Sequence, residues 1–379
     1  MRNHTRLMIA LASILGTVSP SWASPAEDKI AAARKTIQAK ADSPDAYAAL
    51  AMALAARARE TSDPDYYAQG EAEIARALKL DPNNLAAHRA RIWLALGKHE
   101  FASARELAVA LNKKVPDDLL TYAFLTDANV ELGRYDDAEN AADWLLRLRP
   151  GNVPGLTRAA YLRELYGDIE GALELMQKAY AGTPPGEKEE LAWIMTHVSH
   201  LHLVAGNVPY AEMAANEALR LFPDYHYALA ALAKVRTRQG RHADAAVLFE
   251  KRYEGARHPE NLYDLAMALH ESGKKDEARA AFAEFEKSAR AEMNTADNSN
   301  HELVAYYAGV GANPAEALRI ASMEMERRQD VMTLDAYAWA LYANGRNQEA
   351  RNAMRRALGV GVRDPRVREH AKAIDAAGE

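Results

Sequence analysis

Apolar residues recur along most of this chain at the three- and four-residue spacing of helices, and small polar corners containing glycine interrupt them at near-regular intervals. The stretch 131–152, ELGRYDDAENAADWLLRLRPGN, is one copy. Similar phrases follow, among them VAGNVPYAEMAANEALRLFPD, ESGKKDEARAAFAEFEKSA and ANGRNQEARNAMRRALGVG. With Gly133 as anchor, one unit runs from Leu119 to Asn152 and the next from Val153 to Gly186, each 34 residues long. Units anchored on Gly206, Gly240, Gly273 and Gly345 follow. A less regular one carries Gly97, a divergent one covers 298–330, and 43–84 forms a further pair with a longer connection near 60–65. A period of this length predicts stacked helix pairs, a helical solenoid.

The positions within a unit have separate physical roles. Tyr122, Leu125 and Ala128 share one side of a first helix. Gly133 ends that helix, because the left-handed backbone of a helix C-terminus costs glycine least. Asp136 and Asp137 suit the positive N-terminus of the next helix. Ala138 faces the first helix, and its small side chain lets the two axes approach. Ala142, Leu145 and Leu148 form the inner face of the second helix, and Pro150 stops it. Ala172, Ala211, Ala245, Ala278 and Ala350 repeat the role of Ala138. The insertion EKEEL predicts a longer first helix in the fifth unit, and HELVAYYAGVG a weak one in the eighth.

These motifs resemble the tetratricopeptide repeat family over most of the chain, and 333–374 is similar to the C-terminal block of exported bacterial members. The resemblance implies an all-α, right-handed α-solenoid of antiparallel helix pairs. Residues 43–364 then hold about eight to nine units, 24–42 an N-terminal helix or linker, and 365–379 a capping helix. It also implies a concave groove lined by first helices, where a protein or extended peptide binds. That surface would collect Tyr161, Trp193, His200, Tyr227, Lys234, Tyr263, Met267, His270, Tyr306, Trp339 and Tyr342; aromatic side chains make good anchors because they bury much area with few rotatable bonds. Trp93, Trp144 and Leu145 are expected to pack between repeats. Family members that grip a peptide carboxylate use Lys, Asn and Arg at fixed first-helix positions. Ala123, Asp127, Thr157 and Tyr161 stand there instead, so an extended peptide held by apolar and aromatic contacts is expected.

Composition narrows this further. Apolar residues are 49% and charged residues 26%, which fits a folded chain. A net charge of −6 argues against a dedicated nucleic-acid binder, which needs clustered Lys and Arg. Residues 1–23 resemble an export signal: Arg2 and Arg6, then an apolar core from Leu7 to Val18, then Ser21-Trp22-Ala23 with cleavage expected after Ala23. Loss of this segment takes the net charge from −6 to −8. A periplasmic or secreted protein follows as the expectation. No other segment predicts a membrane span. The chain has no Cys, so disulfides and thiolate chemistry are absent.

Candidate chemistry is sparse, and no cofactor motif stands out. His197, His200 and His202 form a cluster in which His197 and His200 share a helix face at metal-ligand spacing. No acidic residue nearby in sequence completes the set, so a metal-binding or enzyme-regulatory role is the lesser alternative. His99-Glu100 and His301-Glu302 lack the second His of a zinc-protease motif. No nucleophile elbow or phosphate loop occurs, so a non-enzymatic scaffold is expected. The charge runs 324–328 and 351–356 are expected on a solvated convex face. Arg366, Arg368, Glu369 and Lys372 make the last helix polar, which favours a monomer.

Overall fold

The computed structural model describes residues 24–377 apart from 296, so the export-signal reading of residues 1–23 lies outside it. Among the described residues the chain forms twenty α-helices and no strand. Helix α1 (Pro25–Ala39) precedes nine pairs: α2 (Pro44–Thr61) with α3 (Asp65–Leu80), α4 (Leu85–Gly97) with α5 (Phe101–Lys114), α6 (Leu119–Glu131) with α7 (Tyr135–Leu148), α8 (Val153–Leu165) with α9 (Ile169–Gly182), α10 (Lys188–Val204) with α11 (Val208–Leu221), α12 (His226–Arg238) with α13 (His242–Gly255), α14 (Pro259–Glu271) with α15 (Lys275–Glu292), α16 (Asn300–Ala308) with α17 (Pro314–Arg327), and α18 (Val331–Ala343) with α19 (Asn347–Gly359). Helix α20 (Pro365–Ala376) follows the last pair. The array is an all-α helical-repeat solenoid.

Local chemistry accounts for these boundaries. Asp118, Asn152 and Asp364 cap α6, α8 and α20 by accepting backbone N–H groups of the first turn. Gly133 takes a φ of +67° at the α6–α7 corner, the left-handed conformation that glycine adopts freely. In the α4–α5 corner that conformation falls on His99 (φ +58°) rather than on Gly97, which is the last residue of α4. Ala138, Ala172, Ala211, Ala245 and Ala350 are fully buried, so each helix pair closes on a small side chain.

Two features depart from the sequence reading. The expected connection at 60–65 is mostly helix: α2 continues through Thr61, and only 62–64 lie between α2 and α3. Glu60 is held in that last turn because it accepts the Ala26 N–H (3.1 Å) and pairs with Arg57 (3.1 Å). The run 324–328 is not a solvated face. Glu324 is buried and accepts from Asn300 (2.7 Å), and Arg328 points inward. Arg355 and Arg356 of the second run do face solvent.

The coil closes on itself. Lys29 pairs with Glu187 (3.0 Å), and His226 Nε2 donates to the Arg59 carbonyl (2.8 Å). Farther along, the Gln329 N–H donates to the Glu131 carbonyl (3.0 Å), the Val331 N–H donates to the Tyr135 hydroxyl (2.9 Å), and Arg328 pairs with Glu131. Apolar packing follows the same seam. Val130, Ala138, Leu162 and Leu165 share one hydrophobic cluster with Val331, Leu334, Leu341, Val362 and Val367. The concave surface is therefore a lumen ringed by the turns of the coil.

Candidate functional site

The lumen is lined by the inner faces of the first helices. Its largest cavity, about 700 Å³, is bounded by Trp93, Phe101, Phe124, Tyr161 and Trp193, with Arg59, Asp127, Glu131, Arg158, Glu190, His197 and Arg328 among them. Smaller cavities of about 280, 250 and 100 Å³ adjoin it. They are connected through shared walls: His99 borders three of these cavities, Glu260 borders the three smaller ones, and Trp193 and His197 border two.

The residues placed on the concave surface by the sequence divide into two groups. Tyr161, Trp193, His200, Tyr227 and Lys234 line the lumen cavities. Tyr263, Met267 and Tyr306 pack against the buried cluster around Phe282 and Phe285, and His270 lies edge-on to Phe282. Trp339 and Tyr342 pack on the seam cluster, where Trp339 stacks on His370 of α20 with ring centres 4.1 Å apart. Trp93 does more than pack between repeats: it tilts against Phe124 at 5.8 Å and also borders the lumen. Trp144 lies 41% exposed on the outside, with its Nε1–H donating to Asp117 (3.1 Å), and Leu145 is fully buried.

The histidine cluster has an acidic partner after all. Glu164 of α8 accepts from His197 Nε2 (2.7 Å) and His200 Nε2 (2.8 Å). Burial raises its carboxyl, but the two histidines outweigh this and hold it well below the usual carboxylate range. His202 turns away and stacks on Tyr210 at 5.4 Å. Among the described residues no group of three or more His, Asp or Glu side chains is placed to hold a metal. The carboxylate thus orients two imidazoles of the lumen wall.

Half-buried charge pairs rigidify the rest of that wall. Arg158 Nη2 pairs with Asp127 (2.6 Å), while its Nε donates to the Ala123 carbonyl (3.0 Å). Arg328 lies between Glu131 and Asp330 and above the Phe101 ring at 5.1 Å. Burial pushes the Glu131 carboxyl up to about 7 against the pull of Arg328, whereas Asp330 is buried yet held low by Arg328 and its hydrogen bonds. Burial holds His99 down to about 3 and His301 to about 4, so both imidazoles are neutral at pH 7. Glu302 is pushed up to about 8, first by burial and then by the charge of Glu260. Sequence reasoning did not find Glu164, Arg158, Glu131, Arg328 or Glu302 as lumen residues. The pairs His99-Glu100 and His301-Glu302 stood out for another chemistry, and Arg328 only as part of a run expected on the convex face.

Residues 127–187 and 199–261 match the family described as Tetratricopeptide repeat. No curated protein matches the sequence. Among solved structures, a chain of the APC/C hetero-tetramer Cut9–Hcn1 is similar with a TM-score of 0.52 at 13% identity, covering 86% of this chain and 55% of that one. This chain therefore spans little more than half its length. Human IFIT1, in a dimer with PPP-AAAA, is similar with a TM-score of 0.51 at 12% identity, covering 89% of this chain and 95% of that one. Identities this low carry the fold alone. The match to tetratricopeptide repeats supports a protein–protein interaction scaffold. Among the described residues, no helix is long and apolar enough to cross a membrane. Residues 127–187 and 199–261 are thus tetratricopeptide repeats, and the same helix-pair unit continues on either side of them.

Proposed function

We propose that this chain is a non-enzymatic scaffold of the bacterial cell envelope that holds a protein segment or extended peptide in its lumen. The observation that carries the reading is the convergence of Trp93, Phe124, Tyr161 and Trp193 on one cavity of about 700 Å³ inside the coil. Large aromatic walls with a few fixed charges suit a chain of mixed side chains. A nucleic-acid ligand fits less well. Arg59, Arg158, Arg252 and Arg328 each have a carboxylate partner, so they offer no free set of cations for phosphates.

Co-purification from envelope extracts tests the lumen assignment. Trp193→Ala is expected to lose the partners that the unaltered chain captures, with its helical content and thermal melt retained. Identical partners for both would sink the assignment. The envelope setting is supported by Arg2, Arg6, the apolar core Leu7 to Val18 and Ser21-Trp22-Ala23. N-terminal sequencing of the protein from fractionated cells is expected to start at Ser24 in the envelope fraction. An intact Met1 in the cytoplasmic fraction would overturn it. One size at two concentrations in light scattering is expected if the chain is a monomer.

A further inference from the structure

The lumen wall on α14 and α16 has more acid than base. Glu260 and Asp264 have one ion-paired cation between them, Arg252, which lies 3.3 Å from Glu260 and pairs with Asp264; Lys234, which borders another cavity with Glu260, acts on it only from a distance. Glu302 has no ion pair among the described residues; Arg366 acts on it only from a distance. Glu260 and Glu302 border the same cavity of about 100 Å³. The arginines beside them are already paired, Arg328 with Glu131 and Asp330, and Arg327 with Glu324.

A second observation concerns a donor. His258 borders the adjoining cavity of about 280 Å³ together with Glu260, and is itself 7% exposed. Its Nδ1 accepts the Glu260 backbone N–H (3.4 Å), which places the ring proton on Nε2. That buried N–H has no acceptor, for Asp297 Oδ1 lies 3.9 Å away. The carboxylates call for a cation and the imidazole for a carbonyl or similar acceptor. A simple metal ion or polyamine supplies only the first. A peptide with a basic side chain supplies both, and its other side chains have the aromatic wall to rest on.

We propose that the peptide held in the lumen carries a Lys or Arg whose charged head lodges beside Glu260 and Glu302 while a neighbouring backbone carbonyl accepts from His258 Nε2. This rests on the reading of the lumen as the binding site. The raised proton affinity of Glu302 agrees with a carboxylate lacking its counter-ion, and it also means that Glu302→Gln resembles a form the fold already tolerates.

The test uses the full chain and short fluorescein-labelled peptides of alternating Leu and Lys, or Leu and Gln, read by fluorescence polarisation. The Lys peptide is expected to bind about ten-fold tighter than the Gln peptide. Glu302→Gln is expected to abolish that advantage and leave Gln-peptide affinity unchanged, while Trp193→Ala weakens both peptides. Equal affinities for the two peptides, both weakened by Trp193→Ala, would overturn the cationic class and retain the lumen as the site. Binding untouched by Trp193→Ala would overturn the lumen reading itself. No binding of the Lys peptide overturns the proposal, and so does a Lys advantage that survives Glu302→Gln. Free spermidine that displaces the Lys peptide at equal charge concentration would show recognition without a peptide carbonyl and overturn the peptide class.

Discussion

The outer face of the coil and its lumen are built from the same helical units, yet they hold charge in different ways. Outside, pairs such as Arg241–Asp244, Arg279–Asp276 and Arg346–Glu349 join residues three apart on one helix and stand open to water. Inside and along the seam, Arg59 meets Glu189, Asp127 meets Arg158, and Glu131 meets Arg328. Water screens the first set and each pair contributes little. Protein partly encloses the second set, so an unpaired member costs more there. The same amino acids therefore decorate one surface and fix the shape of the other. In a solenoid whose repeats touch only their neighbours, stability is a sum of the units' own terms and nearest-neighbour interface terms. Here the seam adds contacts across a whole turn of the coil.

The largest effect is expected from cutting the seam. Arg328→Ala leaves Glu131 and Asp330 facing each other without a cation, and should cost about 3–5 kcal/mol in denaturant unfolding. An unchanged unfolding midpoint would show that the turns are not coupled there. Ala138→Leu overpacks the α6–α7 pair and should cost about 1–3 kcal/mol by the same measurement. Two glycines then separate seam from corner. Gly133 and Gly240 have similar φ values of +67° and +74°, but a Cβ on Gly133 would lie 2.6 Å from the Gln329 carbonyl and one on Gly240 meets nothing within 4 Å. Gly240→Ala should cost about 1 kcal/mol for backbone strain alone. Gly133→Ala should cost measurably more, and equal losses would contradict the close approach across the seam.

Titration gives a smaller contrast of the same kind. The Glu302 carboxyl has a folded-state pKa of about 8, above its unfolded value near 4.5, so the folded chain binds more protons between those pH values. Its contribution to stability is present below about pH 4.5 and is lost as pH rises toward 8. Glu302→Gln should therefore melt higher than the unaltered chain at pH 8 and show no such gain at pH 5. His99 and His301 act in the opposite sense. Held neutral at about 3 and 4, they favour the fold above their unfolded pKa near 6.5 and oppose it as pH falls below that value. At the end of the scale, Arg241→Ala on the outer face should change stability by no more than about 0.5 kcal/mol.

How much of this was legible depended on distance along the chain. Gly133 at its corner and Ala138 between its two helices meet residues close in sequence, and those local roles could be read directly. Tyr161, Trp193 and Tyr227 came from their register on first helices, and the cavities include them. Trp339 and Tyr342 hold equivalent positions, but α20 and the seam cover them. Glu164 escaped notice because it lies 33 residues from His197, one repeat away. Arg328 sits in a charged run that reads as a surface, and only its approach to Glu131, 197 residues earlier, turns it inward.

The sequence by itself determined the repeating unit, its corners, the small residues at which helices meet, and the resemblance to tetratricopeptide repeats. Each of these follows from local backbone preference and from the need of one helix pair to bury its apolar face on the next. The tertiary structure alone decided that the coil closes, that its concave face becomes a lumen, and which carboxylates there lack a cation. Closure depends on small rotations between successive pairs, which accumulate over several units. No single repeat encodes that sum, so residues nearly 200 positions apart become neighbours without any local sign of it.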